Sequence, residues 1–308
     1  MTGLYASALT GAPVLRAELT RQSLLPPAER RTLAVKDTGS ELVETFDGVE
    51  VMRYVYRPDM PLFESPKPYF HPLRTLDGDV VTGYRPHDHR WHKGLQMTAS
   101  WLSGQNFWGG GSYVHAEGGY VELPNNGSMR HEEWLEPGVE RLTWWTQAGE
   151  HWVDERRTIA TSSGEDFWTL EFATELTNVR GEDLLFGSPT TNGRPMAGYT
   201  GLFWRGPRAF TGGRVLASGG QGGEEMMGRT ASWLAFVGRH DEVDRDSTLV
   251  FVSEPGQRWF VRSEPFAAVN PSIAFSEEVR LAAGETLSLS YRVVIGNGAW
   301  SRERLDTL

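Results

Sequence analysis

Between Trp168 and Leu176 the chain alternates residue by residue. Trp168, Leu170, Phe172 and Leu176 fall on one face, and Thr169, Glu171, Ala173 and Glu175 on the other. A period of two belongs to a half-buried β-strand; a helix would repeat every 3.6 residues. The same alternation returns where Leu287, Leu289, Tyr291, Val293 and Ile295 interleave with Thr286, Ser288, Ser290 and Arg292. Further strands are expected near 50–57, 95–102, 129–135, 139–148, 151–161, 232–237, 248–253 and 259–261. Turn dipeptides such as Asp77-Gly78, Asn126-Gly127, Pro137-Gly138 and Asn297-Gly298 punctuate them. No amphipathic helix of three turns follows residue 30. The pattern predicts an all-β chain built as a large antiparallel β-sandwich. Residues 31–308 read as a single domain, because no composition break or 20–50-residue repeat divides them. Residues 1–30 read as an N-terminal arm, helical or loosely ordered. The stretch 212–223, with Gly at six of twelve positions, reads as a flexible loop.

Composition narrows the function. The chain has no Cys, which excludes disulfides, thiolate metal sites and a cysteine nucleophile. With 30 Lys+Arg against 40 Asp+Glu the net charge is −10, unsuited to neutralising nucleic-acid phosphates. No stretch approaches the roughly 18 apolar residues of a membrane helix, and Met1–Arg30 lacks the basic and apolar regions of a secretory signal. A cytoplasmic location is therefore expected, with no membrane or nucleic-acid partner. Oligomeric state is left open. The 12 Trp exceed what a core needs.

Chemistry concentrates in one segment. Five of the eight His lie between His71 and His115, the densest part being Arg85-Pro-His-Asp-His-Arg-Trp-His-Lys-Gly94. Such a segment is expected to be a loop, and loops on a rigid scaffold commonly carry function. Three readings stand. His89 and His92 act as general acid and base, with Asp88 holding an imidazole tautomer and Arg74 and Lys93 orienting substrate. Alternatively His87, His89 and His92 ligate a metal. Or these are structural histidines.

Aromatic residues favour the first reading. Trp91, Trp101, Phe107 and Trp108 interleave with Asn106, Asp88 and His residues, a mixture suited to a sugar ring whose C–H face stacks while its hydroxyls hydrogen-bond. A second segment, Asn192 to Arg205, brackets Tyr199, Phe203 and Trp204 between Arg194 and Arg205. Arginine offers a rigid donor fork for carboxylate or phosphate. Arg262, after Trp259, is placed with the same cavity. Trp91, Trp108 and Trp204 are read as pocket wall, and Trp144, Trp145, Trp152 and Trp168 as core. No nucleophile elbow, phosphate loop or dinucleotide fingerprint is present.

These motifs resemble a known family. Pro68-Tyr-Phe-His-Pro-Leu-Arg-Thr75, Asp88-His-Arg-Trp-His-Lys-Gly94, Gly104-Gln-Asn-Phe-Trp108 and Gly198-Tyr-Thr-Gly-Leu-Phe-Trp-Arg205 look like the PmoA-like family, often labelled methane oxygenase PmoA. The resemblance covers about residues 45–298. His92-Lys-Gly94 stands where that family more often has His-His-Gly. The oxygenase of the label is an integral membrane activity, so the label is treated as a name.

A more distant similarity is to galactose mutarotase-like super-sandwiches, through His92-Lys-Gly94, Glu254-Pro-Gly-Gln-Arg-Trp-Phe260, Glu264-Pro-Phe-Ala-Ala-Val-Asn-Pro271 and Ala283-Gly-Glu285. It implies a β-super-sandwich and a catalytic base at Glu264. Thr191-Asn-Gly-Arg194 lies where the mutarotase acid motif carries a histidine.

The resulting expectation is a carbohydrate-active protein that binds a sugar or sugar-derived acid in a cleft between its sheets and transfers protons, as an epimerase, mutarotase or lyase does. Catalytic candidates are His89, His92, Asp88 and Glu264. Binding candidates are Arg74, Lys93, Asn106, Trp108, Arg194, Tyr199, Arg205 and Arg262. No cofactor and no metal are expected. A noncatalytic carbohydrate-binding or sensing protein and a His-cluster metalloenzyme are the alternatives.

Overall fold

The computed structural model describes residues 31–308, so the proposed N-terminal arm lies outside the described residues. Two eight-stranded antiparallel sheets dominate. The first, here the site sheet, contains in spatial order Leu33–Asp37, Glu41–Phe46, Val49–Val55, Tyr69–Leu73, Leu95–Thr98, Gly201–Arg205, Ala268–Ser272 and Arg258–Arg262. The second, the back sheet, is centred on the long strands Phe167–Asn178, Thr286–Asn297 and His151–Ser163. The one α-helix among the described residues is the four-residue turn Arg302–Leu305, and no helix there is long and apolar enough to cross a membrane.

The alternation read from sequence is the one that packs. Trp168, Leu170, Phe172 and Leu176 are buried in the core between the sheets, with Leu289, Tyr291, Val293 and Ile295 beside them. Phe70 of the site sheet meets Phe172 edge-on with ring centroids 6.1 Å apart. Trp204 packs on Phe236 and Phe251 at 5.2 and 5.5 Å. Each such buried aromatic contributes roughly 1.5–3 kcal/mol of transfer free energy. A polar knot also joins the sheets. The Tyr54 hydroxyl donates to buried Glu140, and Arg157 donates to that hydroxyl at 2.7 Å while clasping Glu155 at 2.8 and 3.0 Å.

Three expectations change. The glycine-rich stretch 212–223 is not a continuous loop: Arg214–Ala217 forms an edge strand of the back sheet, because its Val-Leu-Ala run satisfies the pairing that its flanking glycines do not. Trp145 is half-buried and stacks on His151 with centroids 5.0 Å apart, since it alternates with the core residue Trp144. Trp204 is core and not pocket wall.

Candidate functional site

Strand alternation on the site sheet decides where a ligand can go. In Gly201–Arg205, Leu202 and Trp204 join the core, while Phe203 belongs to a separate aromatic cluster with Trp108, Phe260 and Phe275. In Arg258–Arg262, Trp259 and Val261 face the core and Phe260 joins that same cluster. Register carries this across strands: Trp204, Leu95, Val269 and Val261 form one paired row, and Arg205, Ala268 and Arg262 the next. Neighbouring rows point to opposite faces. The cleft therefore opens on the outer face of the site sheet, where the sequence reading expected it between the sheets. Its volume is ≈ 430 Å³ and its walls include His89, Trp91, His92, Trp108, Tyr120, Arg194, Tyr199, Phe203, Phe260, Arg262, Pro265 and Phe266. A second hollow of ≈ 480 Å³, around Leu62, Phe63, Glu122 and Gln147, has no His, Arg or Lys in its lining.

The histidine segment is the predicted loop, tied down at both ends. The Gly83 amide donates to the Arg205 carbonyl, the Gly94 amide to Gly83, and the Arg205 amide to Gly94, each at 2.8 Å. Gly94 has φ +59°, and a Cβ there would lie 2.1 Å from the Phe70 carbonyl oxygen, so the loop leaves the sheet through a position only glycine fills. Beneath it, Glu64 accepts from Arg85 Nε at 2.9 Å and from Lys93 Nζ. Burial works against the Glu64 charge, yet Arg85 and Lys93 hold its carboxyl below the usual range.

His92 is 3% exposed. Burial, with His89 and Arg205 nearby, pushes its pKa well below 6.5, so the ring is neutral. Arg205 Nη1 lies 3.1 Å from His92 Nδ1. Guanidinium only donates, so Nδ1 is the acceptor and the proton sits on Nε2. His89 stands beside it, ring centroids 4.8 Å apart. Burial lowers the His89 pKa from 6.5, and the Asp88 carboxylate opposes that shift. Asp88 Oδ2 lies 3.3 Å from His89 Nδ1, an ion-pair distance without hydrogen-bond geometry. A carboxylate only accepts, so this neighbour favours the proton on Nδ1 and leaves Nε2 as a base.

Aromatic rings complete the walls. Trp108 contacts Tyr199 and Phe203 at centroid distances of 4.4 and 4.6 Å. Asn106 Oδ1 accepts from the amides of Trp108 and Gly109 at 2.8 and 2.9 Å, and buried Lys67 donates to the Trp108 carbonyl at 2.8 Å. Across the cleft, Arg194 donates to the Tyr120 hydroxyl, which is hydrogen-bonded to that of Tyr199. Tyr120 comes from a small hairpin, Ser112–Val114 with Gly119–Val121, outside both large sheets.

Of the residues singled out from sequence, His89, His92, Trp108, Arg194, Tyr199 and Arg262 line the cleft. Asp88 and Arg205 stand behind the two histidines. Four lie elsewhere. Arg74 donates to the Gly78 carbonyl in a turn at 3.0 Å. Lys93 is buried against Glu64, and Asn106 is spent on the Trp108 loop. Glu264 is exposed, its amide capped by Glu224 Oε1 at 2.8 Å, and only its neighbour Pro265 reaches the lining. Tyr120, Phe260 and Phe266 were missed. Phe260 could have been found by counting alternate residues from Trp259; Tyr120 sits on a hairpin strand of three residues, too short to show a period, and Phe266 on a connection between strands.

The metal reading does not fit the donor set. Among the described residues no three His, Asp or Glu side chains converge as ligands. His87 Nδ1 faces Arg208 Nη2 at 3.2 Å, and His92 Nδ1 is taken by Arg205.

Comparisons with solved structures include these two distant likenesses. One is a candidate aldose 1-epimerase from Escherichia coli K12, at 15% identity and TM-score 0.37, covering 86% of this chain and 99% of that one. The other is a heparan sulfate lyase from Pedobacter heparinus, at 10% identity and TM-score 0.36, covering 90% of this chain and 38% of that one. At these scores neither carries an argument about this chain. No curated protein matches the sequence. A family match spans almost all of the described residues, from 41 to 308, and by it the chain belongs to DUF6807, a family of unknown function.

Proposed function

We propose that the outer cleft binds a sugar or sugar-derived acid and moves protons at or beside its anomeric carbon. The observation that carries this reading is the pair of neutral imidazoles, 4.8 Å apart, in an aromatic cleft with no carboxylate in its lining. Trp108 and Tyr199 offer faces for a pyranose ring. His89 Nε2 takes the proton of the anomeric hydroxyl, and His92 Nε2–H hydrogen-bonds the ring oxygen, which receives that proton from the His89 imidazolium as the ring opens. The C–O ring bond then breaks to an open-chain carbonyl, and the reverse step closes the ring on either face. Asp88 and Arg205 fix which nitrogen of each ring carries the proton, so they are positioning residues. The same pair suits epimerisation or elimination beside a carbonyl. Residues 31–308 act as one domain in this reading, in a cytoplasmic protein, and the PmoA-like resemblance of its motifs belongs to the same proposal.

The test is anomer interconversion and solvent-deuterium incorporation, followed by NMR across a panel of aldoses and sugar acids. His89→Ala is expected to lower turnover by roughly 10²–10⁴-fold, and His92→Gln to do likewise. Full turnover in both variants sinks the acid–base assignment. Binding that survives both substitutions, with no product from the unaltered protein, identifies a noncatalytic binding protein instead.

A further inference from the structure

Three arginines meet at the cleft, and among the described residues none has a carboxylate within ion-pair distance. Arg194 and Arg262 line it. Arg194 has a neutral phenol, Tyr120, as its acceptor. The Arg262 guanidinium lies 5.5 Å from the Phe260 ring centroid, an aromatic face and not an anion. Arg205, 2% exposed, donates to a neutral imidazole and rests 3.8 Å above the Phe266 ring. Several arginines elsewhere on the molecule do take carboxylate partners, among them Arg53, Arg157, Arg245, Arg280 and Arg304.

The arrangement is also ordered. Arg205 and Arg262 flank Ala268 in one row across three adjacent strands. Strands lie about 4.8 Å apart, which places the two stems roughly 10 Å from each other with only a methyl group between. No Asp or Glu lines the cleft: Asp88 acts on Arg205 and Glu224 feels Arg262 through space, but neither forms an ion pair with them. A buried or half-buried cation without a counter-ion is costly, and an entering anion relieves the cost. Arginine's planar fork matches a carboxylate in two parallel hydrogen bonds.

We infer that the occupant of this cleft is an acid sugar whose carboxylate sits against Arg262 and Arg194, with its ring on the Trp108–Tyr199 wall. This rests on the carbohydrate reading above and narrows its sugars and sugar-derived acids to uronic acids, which keep both a ring and an anomeric carbon. The sugar hydroxyls then fall to the histidines, and Arg205 adds field from behind without contact.

The test is calorimetric titration of the intact protein with D-glucuronate and D-galacturonate. D-glucose, D-galactose, glucose 6-phosphate and benzoate serve as comparison probes. At least one sugar acid is expected to bind tenfold or more tightly than its neutral parent, and to weaken as salt is raised. Arg262→Gln is expected to remove that advantage while leaving the thermal midpoint of the free protein within a few degrees. Arg239→Gln, altering an exposed arginine of the back sheet, is expected to keep it. Equal binding of neutral and acid sugars, or an advantage that survives Arg262→Gln, overturns the inference and leaves the carbohydrate reading standing. Preference for glucose 6-phosphate overturns the carboxylate in favour of a phosphate. Binding of benzoate but of no sugar removes the carbohydrate reading and leaves an anion site. Absence of binding by every probe removes both.

Discussion

Asp88 and Arg205 act on the same two rings in opposite senses. Arg205 donates to His92, and its charge adds to the burial that keeps both imidazoles unprotonated. Asp88 pulls the His89 value back upward. A base must be neutral to act, so turnover is expected to fall as pH drops through the His89 pKa, which lies below 6.5. Replacing Asp88 by Asn removes the upward pull, so the acidic limb of the pH–rate profile moves to still lower pH. A limb that moves up, or stays, would show that Asp88 does not act on His89. At this scale the sequence was informative about type but not about direction. The spacing Asp88-His89-x-x-His92 advertised acid–base chemistry. That Lys93 two positions from Trp91 turns down onto Glu64 follows from an ion pair 29 residues apart, which no local pattern encodes.

The elements that carry the site are two loops clamped to the site sheet. The histidine loop is pinned through Gly94, and the Trp108 loop through Asn106 and Lys67. Gly94→Ala meets both a left-handed backbone and the Phe70 carbonyl. Gly104→Ala, at φ +91°, meets the backbone strain alone because nothing lies within 4 Å. Left-handed strain costs roughly 1–2 kcal/mol in either variant. Chemical denaturation is expected to show a clearly larger loss for Gly94→Ala than for Gly104→Ala. Equal losses would mean that the loop can shift away from Phe70 freely. Strands were legible here because period two survives in any half-buried sheet. The faces of Gly201–Arg205 and Arg258–Arg262 were legible too, had adjacent residues been assigned to opposite sides: Phe203 and Trp204 cannot share a wall. What alternation could not supply was which face of the site sheet would be covered by the second sheet. Both faces are apolar, so the cleft was misplaced from sequence.

For the molecule as a whole, the two sheets are held by an apolar core and by one buried knot of charge. Arg157 faces Glu155, and Glu140 accepts from Tyr54 of the site sheet and from His131 at 2.7 Å. Arg157→Met leaves two carboxylates in a dry interior, and breaking such a pair costs roughly 3–5 kcal/mol. Tyr54→Phe removes one hydroxyl and is expected to cost less, about 1–3 kcal/mol. Denaturant midpoints measure both; a loss below about 1 kcal/mol for Arg157→Met would show that water reaches the knot. The all-β architecture was readable because the signal repeats along most of the chain. The knot was not, since its members come from strands about a hundred residues apart, and a lone Glu or Arg on an apolar face looks the same whether paired or exposed.

The division of the tryptophans has an optical consequence. Trp144, Trp168, Trp204 and Trp259 are sealed in the interior, while Trp91 and Trp108 border the cleft. Indole emission depends on its immediate surroundings, so the sealed rings supply a constant background and the bordering pair a variable signal. Any molecule that fills the cleft displaces water from those two rings alone. The protein thus carries an intrinsic fluorophore at its own entrance, and occupancy can be read from it without attaching a label.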